Sequence, residues 1–130
     1  MAMQFKRPDT AFSLAPASGQ KRPRVLDDTH LKWIRTLPCI LTGKRPVDAC
    51  HIRYADPKFY KRETGKAEKP DDKWVVPMCR QMHDTQHSMN ERAFWARHKI
   101  DPVAVAAALY LNSGDDAAAE VIFRNARNRQ

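Results

Sequence analysis

Two short stretches carry residue types that can do chemistry together: Cys50-His51-Ile52-Arg53, and Met78-Cys79-Arg80-Gln81-Met82-His83-Asp84-Thr85-Gln86-His87. Cutting a phosphodiester needs a base to deprotonate water, a cation to stabilise developing charge, and a group to protonate or shield the leaving oxygen. Neutral imidazole suits the first role because its ordinary pKa lies near physiological pH. His83 and His87 stand four residues apart. On a helix they project from one face and could hold a divalent ion or the scissile phosphate. Asp84 could add an oxygen ligand or a hydrogen bond to a ligating histidine. Each feature has a plainer alternative. A histidine pair at this spacing also suits a solvated helix face, and His51 could be a buried histidine satisfied by a backbone carbonyl.

These residues need elements to position them. Val47 to Ile52 reads as a short strand, and Trp74-Val75-Val76-Pro77-Met78 as a second, with Pro77 placing its end at an edge. A helix over 29–37 is expected before them, with Thr29 as cap, Leu31, Ile34 and Leu37 at helical spacing, and Pro38 as the stop. Thr42-Gly43-Lys44-Arg45-Pro46 has turn chemistry. Residues 53–73 read as a long polar loop with seven Lys/Arg and the aromatics Tyr54, Phe59 and Tyr60. A short helix follows over 79–87. Ser88-Met89-Asn90-Glu91 has the form of a capping box, opening a helix to about His98 that Phe94 and Trp95 anchor. Asp101-Pro102 opens an Ala-rich helix to about Leu111, Ser113-Gly114 ends it, and Asp115 caps a last helix through Ile122 and Phe123. Trp33, Trp74 and Trp95 are expected in the core.

Length and composition bound what such a site can serve. The chain has 130 residues, enough for one domain, with 23 Lys+Arg against 15 Asp+Glu and a formal charge of +8. That balance favours a polyanionic partner, most often nucleic acid. Three cysteines do not make a secreted disulfide framework. No stretch approaches the roughly 20 apolar residues that span a bilayer. The expectation is a cytoplasmic protein without a membrane segment, in which clustered Cys and His serve metal or catalysis. Residues 1–26, rich in Pro, Lys and Arg without a hydrophobic period, read as a flexible basic arm, and 27–130 as the folded domain.

The pattern resembles the HNH, or His-Me-finger, endonucleases, and most of all the small prophage-encoded nucleases of the recombination-enhancement type. In that family a strand ends in a His-Ile-Arg-like sequence, a loop carries a Lys-Pro-x-Asp element, and a helix begins with a Cys-x-x-(Cys/His)-His segment. This chain has Cys50-His51-Ile52-Arg53, Lys69-Pro70-Asp71-Asp72 and Cys79-Arg80-Gln81-Met82-His83, with Phe94-Trp95 and Ile100-Asp101-Pro102 following. The likeness spans roughly residues 36–103. It implies an α+β fold with a small ββα-metal core and flanking N- and C-terminal helices, and a divalent-metal-dependent DNA endonuclease. His51 becomes the general base, His83 the helix ligand of a magnesium or manganese ion, and His87 a further ligand or phosphate contact. Cys50 stands where many relatives have a metal-binding Asp or His, and a thiolate matches magnesium poorly. The family's middle Asn is missing, with Trp74 at about that position. Asp72 is the candidate to orient His51, although Asp71-Asp72 also reads as a solvated turn.

Relatives of this kind often hold a structural zinc between two knuckles. Here Cys39 and Cys79 remain, while Thr42 and Met82 occupy the other two positions. Either the zinc is lost and Thr42 and Met82 pack its place, or Cys39, Cys50, Cys79 and His83 gather one ion. The second scheme would take His83 out of catalysis. Arg53, Lys61, Arg62, Lys66 and Arg80 are candidate contacts to the DNA backbone. Tyr54, Phe59 and Tyr60 could stack unpaired bases or pin the loop to the domain. The resemblance also implies a possible recombinase filament as partner. Two readings compete with the enzyme: a non-catalytic, zinc-stabilised DNA-binding module, and a basic RNA-binding protein resting on charge and loop aromatics alone.

Overall fold

The computed structural model describes residues 24–64 and 68–128. They form an α+β fold with a two-stranded antiparallel sheet and five helices. In chain order these are α1 (Asp28–Ile34), β1 (Asp48–His51), β2 (Val75–Met78), α2 (Arg80–His87), α3 (Glu91–His98), α4 (Pro102–Leu111) and α5 (Asp116–Arg127). Among the described residues, no helix is long and apolar enough to cross a membrane.

The strands pair in the register Asp48↔Met78, Ala49↔Pro77, Cys50↔Val76 and His51↔Val75. Ile52 N–H then donates to the Trp74 carbonyl at 2.8 Å, which carries the pairing one step past His51. Every β2 residue is buried, so both faces of that strand are covered. Strand alternation gives Asp48 and Cys50 one face, and their partners identify it: Asp48 meets His83 and Cys50 meets Gln86, both on α2. His51 leaves the opposite face and meets Asp72. The main core gathers Ile34, Leu37 and Ile40 from α1 and its exit, Cys50, Ile52, Val75, Val76 and Met78 around the sheet, and Phe94, Trp95, Val103, Leu109 and Phe123 from α3 to α5. Phe94 and Trp95 meet edge to face at 5.2 Å and anchor α3.

Local signals placed most boundaries. Asp101 accepts from Val103 N–H and Ala104 N–H, and Pro102 opens α4 without losing a needed donor. Gly114 takes φ 91° after α4, and Asp115 caps α5 by accepting from Ala118 N–H at 3.0 Å. Three expectations are corrected. Asp27, not Thr29, caps α1 by accepting from His30 N–H; the helix ends at Ile34, and Thr36 and Leu37 continue in a tighter turn. Ser88 is no N-cap: it closes α2, and Asn90 caps α3 by accepting from Ala93 N–H. Glu91 thereby becomes the first helical residue, too early to reach back in a capping box. Trp33 is only partly buried and donates from Nε1 to Asp116 at 2.7 Å.

Candidate functional site

His51 is the last residue of β1, and the chain turns out of the sheet just beyond it. Glu91, at the start of α3, accepts from Arg53 N–H at 3.1 and 3.2 Å and so fixes the exit of the strand. From the other side, the turn before β2 brings Asp72 to His51, with 3.0 Å between Nε2 and Oδ1. A carboxylate accepts only, so Nε2 carries the proton and Nδ1 keeps its lone pair. That is the tautomer a base requires.

Asp72 is held by more than histidine. Its Oδ1 also accepts from Arg24 Nη2 at 2.7 Å, and its Oδ2 from Asp27 N–H at 2.9 Å. Arg24 Nε donates to the Pro70 carbonyl, and Val25 pairs with the same turn through Asp71 and the Asp72 N–H. The last residues of the expected arm, 24–26, are therefore docked beside the site, while 1–23 lie outside the described residues. Burial of Asp72 pushes its carboxyl up. The hydrogen bonds from Asp27, His51 and Arg24, with the Arg24 charge, outweigh that and hold it below the usual range. Burial lowers the pKa of His51, the Asp72 contact opposes this, and Arg24 and Lys69 add to the lowering. The ring is neutral at neutral pH.

A second polar cluster lies on the α2 side of the sheet. His83 and His87 stack with ring centroids 4.7 Å apart. His83 Nδ1 lies 3.0 Å from Asp48 Oδ2, and Arg80 Nη2 reaches the same oxygen at 2.8 Å while Nη1 meets Asp84 at 3.3 Å. The carboxylate of Asp48 fixes His83 with Nδ1 protonated, which leaves the ring's lone pair on Nε2. Two imidazoles with a carboxylate behind one of them are donor types that divalent transition-metal ions take. Among the described residues no group of three or more His, Cys, Asp or Glu is arranged to hold a metal. Asp48 went unnoticed in the sequence; its signal was a lone charge at the start of an apolar strand.

The cysteines divide. Cys50 is fully buried in the main core, its thiol donates to Gln86 Oε1 at 3.4 Å, and burial pushes its pKa up to about 12. Cys50 thus stands in the main core, apart from the cluster that holds the other two cysteines. Cys39 and Cys79 share a separate small cluster with Val47, against which Leu41 and Met82 pack. The Thr42 hydroxyl donates to Cys79 Sγ at 3.7 Å. Burial pushes the Cys39 thiol up, but the Thr42 hydroxyl and backbone N–H groups of Cys79, Thr42 and Leu41 outweigh it and bring it below the usual thiol range. Two thiols closed over by threonine and methionine do not fit a four-ligand zinc site.

The candidate backbone contacts fare differently. Arg80 is two-thirds exposed. Arg62 pairs with Glu68 at 2.9 Å, and Arg53 Nη2 donates to the Glu68 carbonyl. Lys61 is buried at 3% exposure, with Nζ 6.0 Å from the Trp74 ring, and offers no surface charge. Burial lowers its pKa to about 8. Lys66 lies outside the described residues. A family profile described as "Protein of unknown function (DUF968)" matches residues 7–112, most of the chain. No curated protein and no solved structure matches it.

Proposed function

We propose that this chain, which belongs to the DUF968 family, is a cytoplasmic, divalent-metal-dependent DNA endonuclease of the HNH type, derived from a prophage and linked to DNA recombination. The observation that carries the reading is the His51–Asp72 pair: a neutral imidazole at a strand end, its Nε2 proton held 3.0 Å from a buried carboxylate. Nδ1 takes the proton from water as the water attacks the phosphorus, the bond to the leaving sugar oxygen breaks, that oxygen takes a proton from solvent, and Asp72 steadies the imidazolium that forms. His83 and His87 would hold the cation, with Asp48 orienting His83 and Arg80 meeting the DNA backbone; this cluster lies across the sheet from the His51 side chain, so the phosphate would reach both around the strand end. When bound there, a divalent ion supplies charge stabilisation on the phosphate oxygens. Two nitrogen donors suit manganese at least as well as magnesium.

The test is nicking of supercoiled plasmid with magnesium or manganese, beside His51→Ala, with a parallel arm on single-stranded DNA coated with a bacterial recombinase. Cleavage that disappears with chelator and in His51→Ala supports the enzyme. A gel shift without cleavage in either arm sinks it. The non-catalytic zinc-stabilised DNA-binding module keeps one observation in its favour, that Cys39 and Cys79 share one small buried cluster. Purified protein carrying one tightly held zinc would support that module.

A further inference from the structure

Tyr60 is the most exposed large hydrophobic residue described, at 94%, and its hydroxyl has no hydrogen-bond partner among the described residues. Its backbone sits in the left-handed region, φ 57° and ψ 27°, which a side chain this bulky rarely occupies. The chain holds it there firmly. Asp56 and Lys61 exchange backbone hydrogen bonds at 3.1 Å in both directions, and Tyr60 N–H donates to the Pro57 carbonyl at 3.1 Å. Inside that closed loop Pro57–Phe59 makes one 3-10 turn, capped by the Asp56 side chain accepting from Lys58 N–H. The flanking residues point inward: Phe59 packs against the core and Lys61 is buried over Trp74. Two anchored neighbours and a closed backbone display one aromatic ring to solvent.

The other loop aromatics are committed. The Arg92 guanidinium lies 4.3 Å over the Tyr54 ring, while Phe59 is taken up by the core. Tyr60 is followed directly by Lys61, whose Nζ lies 6.0 Å from the Trp74 ring just ahead of β2. Lys58 and Lys69 are exposed on the same segment.

We infer that Tyr60 is a stacking platform for an unpaired base, so that the substrate is DNA with single-stranded or unstacked nucleotides. This inference rests on the reading of the chain as a DNA nuclease. A flat π face without hydrogen-bond readout accepts any base, and backbone strain kept at an exposed site points to function rather than packing.

Fluorescence anisotropy in chelator, with labelled single-stranded and duplex oligonucleotides of one sequence, separates binding from cutting. Tyr60→Ala is expected to weaken single-strand binding by about 5- to 150-fold, the range one base–aromatic stack supplies. Duplex binding should change less than twofold, and Tyr60→Trp should bind single strands as wild type does. Lys58→Ala should weaken both forms equally, as a phosphate contact does. Tyr60→Gly relieves the backbone, so its Tm should equal or exceed that of wild type while single-strand binding falls. Unchanged single-strand binding in Tyr60→Ala, or equal losses on both forms, overturns the inference even if plasmid cleavage depends on His51. Selective loss in a protein that cuts nothing overturns the nuclease and keeps the platform.

Discussion

Replacing Asp72 by Asn separates the roles the carboxylate plays. The side chain is 3% exposed and takes three donors: Arg24 Nη2 at 2.7 Å, His51 Nε2 at 3.0 Å and Asp27 N–H at 2.9 Å. Asparagine keeps one oxygen. If that oxygen faces Asp27, the amide N–H groups meet Arg24 donor to donor, and His51 must accept at Nε2. Its proton then moves to Nδ1, where the attacking water needs a lone pair. Loss of a positioned base costs about 10²–10⁴-fold in rate, or about 3–5 kcal/mol in the barrier. The fold loses a charge-assisted pairing worth about 1.5–3 kcal/mol, which lowers Tm by about 10 °C in a domain of this size. Initial nicking rates with saturating manganese, measured well below the Tm of the variant by circular dichroism, read the catalytic part alone. Asp72 holds the His51 pKa up against burial, so the acid limb of the variant's residual activity should move to lower pH. A folded Asp72→Asn protein that nicks within threefold of wild type would refute the tautomer argument.

His30 is buried, its Nδ1 lies 2.7 Å from Ser113 Oγ, and burial depresses its pKa while Asp27 and Asp72 oppose the shift. With His51 depressed as well, the unfolded chain binds more protons between the folded pKa values and about 6.5, so stability rises with pH across that window. Urea titrations from pH 8 to 5 should show stability lost on acidification, and His30→Gln should flatten part of the slope; an unchanged slope argues that His30 charges freely in the fold. Asn90→Ala should cost about 1 kcal/mol, whereas Ser88→Ala should stay within about 0.5 kcal/mol; the reverse order in thermal melts would restore the capping box. Asp48→Asn should weaken manganese binding by calorimetry about 10–100-fold, and wild-type affinity in that variant would remove His83 from the ion. Dialysis against chelator should leave Tm unchanged, because the Cys39–Cys79 cluster is closed by Thr42 and Met82. A fall of many degrees would reinstate the zinc module.

What the sequence disclosed depended on the range of the interactions that decide each feature. Asp101-Pro102 and Gly114-Asp115 were readable because a cap is settled within three residues. Ser88-Glu91 misled because two adjacent segments offered caps, and Glu91 was drawn instead to Arg53, 38 residues away. Asp72 was suspected as a partner for His51, but its docking by Arg24 and Asp27 was not visible. Those contacts bridge more than 40 residues and leave no periodic trace. Lys61 was expected among the phosphate contacts by charge alone. Its burial comes from the bridge to Asp56, which turns alternate residues of that loop inward.

Asp72 fastens the chain just ahead of α1 and also aims His51, so the two tasks share one joint. Arg24 is the first described residue, and its guanidinium grips both Asp72 and the Pro70 carbonyl. A pull on the chain ahead of Arg24 is thereby delivered to the carboxylate that sets the tautomer of His51. Tension there would loosen the hold of Asp72 on His51 without touching any histidine. In the nuclease proposed above, the cutting rate would then depend on the tension reaching Arg24.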